Sequence, residues 1–206
     1  MARAIVALFA AAAVGATAAV PPVAAWQEAP LPLTWENIFT ESTGARQAAL
    51  SPSGMTVAVA ASTTTGSGIF LVDVETGERR QLTDGGSSPI WMPGGASLLV
   101  SAAGDLWIVS IDATTVAAGR PGAGVTRVTD DDLDERSARP SPDGSLIAFY
   151  SGRSGSQDIW LVPADGSAVP EQLTRGSMAP DDFRFAPAWS PDGSTIAYFS
   201  NKSDYW

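Results

Sequence analysis

The segment SPDGSLIAFY (Ser141–Tyr150) returns almost unchanged as SPDGSTIAYF (Ser190–Phe199). Two looser copies precede it, built on Ser51-Pro52-Ser53-Gly54 and Met92-Pro93-Gly94-Gly95. The four turns start at Ser51, Met92, Ser141 and Ser190, which are 41, 49 and 49 residues apart. A repeat of about 40–50 residues is a propeller-blade period, so the chain is built as a row of similar units. The turn chemistry explains the constant residues. Proline (Pro52, Pro93, Pro142, Pro191) presets φ at the first central position. Asp143 and Asp192 tolerate the second position and bond the backbone. Gly54, Gly95, Gly144 and Gly193 take the positive φ that closes the hairpin.

Each turn is followed by a run of β-branched and aromatic residues, such as Leu146-Ile147-Ala148-Phe149-Tyr150, the composition of a strand. Several runs are apolar on both faces, as expected for sheets covered on both sides by neighbouring units. Two further elements repeat in step. GIFLVDVETGE (Gly68–Glu78), DLWIVSID (Asp105–Asp112) and DIWLVPADGS (Asp158–Ser167) form one set, and RRQLTD (Arg79–Asp84), VTRVTD (Val125–Asp130) and PEQLTR (Pro170–Arg175) the other. That makes four strands per unit, the count of a propeller blade. The predicted fold class is all-β, a β-propeller of four-stranded blades.

WSPDGSTIAYFS and DIWLVPADG resemble the WD-like repeats of the TolB propeller. They equally resemble the propellers of the prolyl oligopeptidase and dipeptidyl-peptidase IV families of serine peptidases. The likeness covers roughly residues 45 to 206. LTWENIF (Leu33–Phe39) is similar to the segment that opens secreted members of the peptidase group, and tips the balance toward it. Similar propellers close with more blades. Blades are expected at about 46–84, 88–130 and 137–175, with an incomplete fourth at 185–206. About three and a half blades leave strand edges unpaired, so the sequence reads as the N-terminal part of a longer protein. The rival reading is a compact four-bladed or self-associating domain.

Ahead of the blades, residues 1–25 have the layout of a secretory signal peptide: Arg3, then an apolar stretch from Ala4 to Val20, then small residues. An uncleaved anchor is the alternative. Residues 26–45 form a lead-in, in which Thr34 caps a short helix. The expected location is periplasmic or secreted, with no membrane contact once the signal is removed. The formal net charge is -10 and Lys202 is the only lysine, which disfavours nucleic acid as a partner.

The 206 residues include no cysteine and no histidine. Thiol catalysis, thiolate and imidazole metal sites and a Ser-His-Asp triad are therefore excluded within this chain. GRSGS (Gly152–Ser156) lacks the last glycine of a nucleophile elbow as well as a base. The densest charge cluster, Asp130, Asp131, Asp132, Asp134 and Glu135, offers oxygen ligands for Ca²⁺. It lacks the glycine and distal glutamate of an EF-hand loop, so a solvated inter-blade loop is the stronger reading. Asp181 and Asp182 match no substrate-binding motif, and Asn201-Lys202-Ser203 is a formal glycosylation sequon. Trp91 and Trp189 are matched in the repeat, as are Trp107 and Trp160, and read as inter-blade packing. No cofactor is expected.

The resemblance implies a non-catalytic propeller with a substrate-gating or scaffold role, and a serine peptidase whose catalytic residues lie in a downstream α/β-hydrolase domain. A TolB-like module that binds protein or peptide partners is the alternative. A propeller attached to a secreted amidohydrolase is a third.

Overall fold

A computed structural model describes residues 42–63, 66–114, 116–131, 133–175 and 183–201. The signal-peptide, Thr34-helix and LTWENIF assignments lie outside these residues, as do Asp132, Asp181, Asp182 and Lys202. No helix occurs among the described residues.

Four sheets follow one another along the chain. The first comprises β1 (Ser42–Leu50), β2 (Thr56–Thr63), β3 (Gly66–Asp73) and β4 (Arg79–Asp84), each antiparallel to the last. The second begins with β5 (Ser87–Trp91), β6 (Ser97–Ala102) and β7 (Asp105–Ser110). The chain then makes an excursion. β8 (Val116–Ala117) pairs in parallel with the outer edge of β4, and β9 (Val125–Arg127) returns to complete the second sheet. An edge strand is a template for unwanted pairing, and here the next unit covers part of it. The third sheet comprises β10 (Arg136–Pro140), β11 (Leu146–Ser151), β12 (Asp158–Pro163) and β13 (Glu171–Gln172). The fourth contains β14 (Arg184–Trp189) and β15 (Ile196–Ser200).

Each repeated turn closes the hairpin between the first and second strands of its sheet. Gly54, Gly95, Gly144 and Gly193 adopt φ of 75°, 72°, 75° and 72°, the left-handed region that glycine enters without steric cost. Their amides donate to the carbonyls of Ser51, Met92, Ser141 and Ser190. In the two SPDGS copies the flanking serines also have work. Asp143 Oδ1 accepts from Ser141 Oγ at 2.6 Å and from the Ser145 amide at 3.0 Å. Asp192 repeats this with Ser190 and Ser194 at 2.6 and 3.1 Å. These donors stabilise the charged carboxylates: Asp143 is held below its usual range and Asp192 at about 2.

The turn glycines have a second role. A Cβ on Gly95, Gly144 or Gly193 would stand 3.7, 3.5 or 3.6 Å from Cδ of Pro52, Pro93 or Pro142. Each of the last three turns therefore rests on the proline of the turn before it, and the four turns lie side by side.

The core sits between successive sheets. Leu98 and Val100 pack with Ile69, Leu71 and Leu82 of the first sheet. Leu99, between them in sequence, packs with Ile147 and Phe149 of the third. Successive strand residues point to opposite faces, so the all-apolar runs belong to strands buried on both sides. Trp107, Phe149, Ile69 and Leu82 are fully buried. On β15, by contrast, Tyr198 and Phe199 are 42% and 67% exposed.

Candidate functional site

The repeats place a polar position at each junction between sheets. The matched residues are Gly68, Asp105 or Asp158 in the third strand, and Thr83, Thr129 or Thr174 within or just after the fourth. In all three units the threonine Oγ1 accepts a backbone N–H, from Ile69, Leu106 or Ile159, at 3.0, 2.9 and 2.9 Å. The hydroxyl proton then has its own acceptor. It goes to the Gly85 carbonyl at 2.7 Å in the first unit and to Asp158 Oδ1 at 3.0 Å in the third, while in the second it lies between Glu135 Oε2 at 3.1 Å and Asp105 Oδ1 at 3.3 Å. An aspartate at position 68 would not fit, because a Cβ there would lie 2.0 Å from the Thr83 carbonyl oxygen.

The two aspartates are buried and differently neutralised. Asp158 accepts from Ser154 and Ser156 at 2.9 and 2.6 Å and faces Arg184 of the fourth sheet at 3.5 Å. The serines of the GRSGS segment are thus hydrogen-bond donors to a buried structural carboxylate. Asp105 pairs with Arg127 at 2.6 Å. The repeat sets Glu135 where the next unit has Arg184, 49 residues later, which brings a third carboxylate toward Asp105 and Asp131. Arg153 offsets it. Its guanidinium reaches Glu135 and, at 3.3 Å, Asp131, and lies 5.0 and 5.1 Å from the ring centroids of Phe149 and Trp160. Burial still dominates, and the Glu135 carboxyl is pushed up to about 7 despite Thr129 and Arg153.

The structure thus distributes the acidic loop among arginines. Asp130 meets Arg127 at 2.5 Å, Asp131 and Glu135 meet Arg153, and Asp134 meets Arg136 at 2.9 Å. Among the described residues, no group of three acidic side chains is gathered so as to hold a metal ion.

The first strands β1, β5 and β10 wall an open groove of about 620 Å³. Each of these strands, like β14, carries a register shift. The shift centres on Ser88, Ser137 and Ala186, with φ of 53°, 48° and 53°, values uncommon for residues with a Cβ. A bulge of this kind bends a strand and redirects its peptide groups. The Ser88 amide is thereby aimed at the preceding unit, where it donates to Gln47 Oε1 at 2.6 Å. The matched tryptophans make a second link of this type. Trp91 Nε1 donates to the Ala49 carbonyl at 2.9 Å and Trp189 Nε1 to the Arg139 carbonyl at 3.0 Å. The third sheet has Pro140 at this position, so it makes no indole link of this kind to β5.

Sequence reasoning identified the turns and the tryptophans but passed over Asp105, Asp158, Arg153 and Arg184. The signal for the aspartates was present: their matched places at the head of the DLW and DIW motifs. Arg153 and Arg184 have no counterpart of the same type in the other units, so the repeat could not reveal them.

No protein-family model matches the chain. Among solved structures, it is similar to a protein described as TolB from Agrobacterium tumefaciens: 26% identity, TM-score 0.60, over 79% of this chain and 57% of that one. TolB from Acinetobacter baumannii matches at 27% identity and TM-score 0.56, over 75% of this chain and 37% of that one. In sequence, 105 residues are 26% identical to tricorn protease homolog 1 of Streptomyces coelicolor, covering 51% of this chain and 9% of the relative. The chain therefore spans a small part of that relative and between about a third and three-fifths of the solved chains. The described residues are an all-β propeller of TolB-like repeats.

Proposed function

We propose that this chain is the non-catalytic propeller portion of a periplasmic or secreted prolyl oligopeptidase-like serine peptidase, acting as a substrate gate or scaffold. The observation that carries the reading is the groove of about 620 Å³ walled by β1, β5 and β10 in a chain with no histidine. It offers a concave polar surface without the base that peptide hydrolysis by a serine triad needs. The sequence match to a tricorn protease homolog supports a peptidase context. The TolB similarity supports a second reading, a docking module for envelope proteins or peptides. A propeller attached to a secreted amidohydrolase is a further alternative.

The test is the intact mass of the native protein, read with the gene beyond the Trp206 codon. A longer product carrying an α/β-hydrolase domain with serine, aspartate and histidine supports the peptidase reading. A product with no such domain overturns it and leaves the docking module. The purified 206-residue chain should show no serine-inhibitor-sensitive cleavage of a proline dipeptide substrate.

A further inference from the structure

The second junction between sheets holds two carboxylates where the third holds one. At the third, Thr174 Oγ1 accepts the Ile159 amide and donates to Asp158 Oδ1, and the next unit supplies a cation, Arg184. At the second, Glu135 stands in the place of Arg184. Thr129 Oγ1 therefore has three neighbours: the Leu106 amide at 2.9 Å, Glu135 Oε2 at 3.1 Å and Asp105 Oδ1 at 3.3 Å. The amide is a donor, and a hydroxyl has a single proton to give. Thr129 can satisfy one carboxylate oxygen and not both. The remaining oxygen would then face the hydroxyl with no hydrogen between them. Both carboxylates are buried, with side-chain exposures of 3% for Asp105 and 0% for Glu135, and an unmade hydrogen bond is costly in such a place. One further proton among the three oxygens removes the conflict.

The surroundings decide which oxygen carries it. Asp105 Oδ2 accepts from Arg127 at 2.6 Å, and Asp105 Oδ1 also accepts the Asp131 amide at 3.2 Å. Glu135 Oε1 accepts from Arg153, whereas Glu135 Oε2 has Thr129 as its one partner among the described residues. We propose that Glu135, Thr129 and Asp105 form a proton-operated switch at the second junction, in which protonated Glu135 Oε2 donates to Thr129 Oγ1 and Thr129 donates to Asp105 Oδ1. In this state Thr129 uses its lone pairs for Leu106 and Glu135 and its proton for Asp105. When the proton leaves to solvent, the hydroxyl turns, Thr129 donates to Glu135, and Asp105 Oδ1 keeps the Asp131 amide. The charged and titratable groups around the switch are Arg153 on the β11–β12 loop, Asp131 before β10, and Asp105 on β7, with Arg127 and Asp130 behind it. Asp134 and Arg136, on either side of Glu135 in the chain, pair with each other at 2.9 Å. The segment 134–137 lines the groove, so the switch is built into the groove wall. The rise of the Glu135 carboxyl to about 7 fits a group that releases this proton close to neutral pH. The proposal does not depend on whether the whole protein is a peptidase.

The test is NMR of the isotope-labelled full chain, following the side-chain carboxyls of Glu135 and Asp105 and the amide of Leu106 as pH is raised. The Glu135 carboxyl should titrate at about 7. The Asp105 carboxyl and the Leu106 amide should move with the same midpoint, because the hydroxyl between them turns at that step. Glu135→Gln places an amide N–H where the acid proton was and should abolish that step at both reporters. Thr129→Val keeps the two carboxyls and removes the relay: Glu135 should still titrate, and the step at Asp105 and Leu106 should be lost. A step of undiminished size in Thr129→Val would assign it to the charge of Glu135 acting through space and overturn the switch. If the valine variant does not fold, the parent chain and Glu135→Gln still decide. A Glu135 carboxyl that titrates in the ordinary carboxylate range, Asp105 and Leu106 signals that do not follow it, or a step that survives in Glu135→Gln would each overturn the proposal.

Discussion

Arg153, on the loop between β11 and β12, reaches back to Glu135 at the entrance to β10, with its guanidinium between the rings of Phe149 and Trp160. Both side chains are almost wholly buried, at 7% and 0% exposure. Removing one partner of such a pair strands a buried charge, whereas the intact pair adds little over well-packed apolar groups. Arg153→Met should therefore lower stability by about 3–5 kcal/mol above pH 7, where Glu135 is ionised, measured by urea denaturation. The double variant Arg153→Met/Glu135→Leu should recover most of that loss.

The same carboxyl sets a pH dependence. Glu135 titrates near 7 in the folded chain against an ordinary 4.5. The folded state thus holds a proton that the unfolded state has released over this interval, and stability falls as pH rises from about 4.5 to 7. The groups that face it are Arg153, Thr129, Asp131 and Asp105. Melting temperature should decline from pH 5 to 7.5 and then level. Glu135→Gln should flatten that decline; an unchanged profile would assign the dependence to another group.

Thr129 and Thr174 act as side-chain acceptors in place of a ladder carbonyl. Valine keeps their shape and removes the oxygen, leaving the amide of Leu106 or Ile159 and a buried aspartate short of a partner. Thr129→Val and Thr174→Val should each cost about 1–3 kcal/mol, read from the denaturation midpoint.

Two glycines of the same repeats should respond oppositely to alanine. At Gly68 the new Cβ would lie 2.0 Å from the Thr83 carbonyl oxygen, and the first sheet would have to shift. At Gly94 nothing lies within 4 Å. Gly68→Ala should cost about 3 kcal/mol or more, while Gly94→Ala should leave the melting temperature within about a degree of the parent, as surface substitutions do.

The acidic loop should not take up calcium. The carboxylates of Asp130, Asp131, Asp134 and Glu135 are already paired with arginines, and a hard cation needs six to eight oxygens free to turn toward it. Calorimetric titration should give only heat of dilution. A saturable signal would restore the loop as a metal site.

Much of the architecture was legible because it is local and repeated. Pro142, Asp143 and Gly144 specify a turn by their own torsional preferences and short-range hydrogen bonds. Period-two alternation then places Leu98 and Leu99 on opposite faces whatever lies beyond them. The bulges at Ser88, Ser137 and Ala186 were not legible. SSPIW, RSARP and FAPAW share no residue type that demands positive φ, so packing against neighbouring strands, not local preference, holds them there.

By itself, then, the sequence determined the repeat, the four-stranded unit, the turn chemistry and the exclusion of imidazole and thiol chemistry, since each depends on residue identity and near neighbours. Only the tertiary structure decided how the units meet. It set Arg153 against Glu135 and Arg184 against Asp158, and rested the last three turn glycines on the preceding prolines. It also brought β1, β5 and β10 together to wall a groove. Those relationships join residues from different repeats, and their partners are chosen by the stacking of sheets, which short-range propensity does not encode.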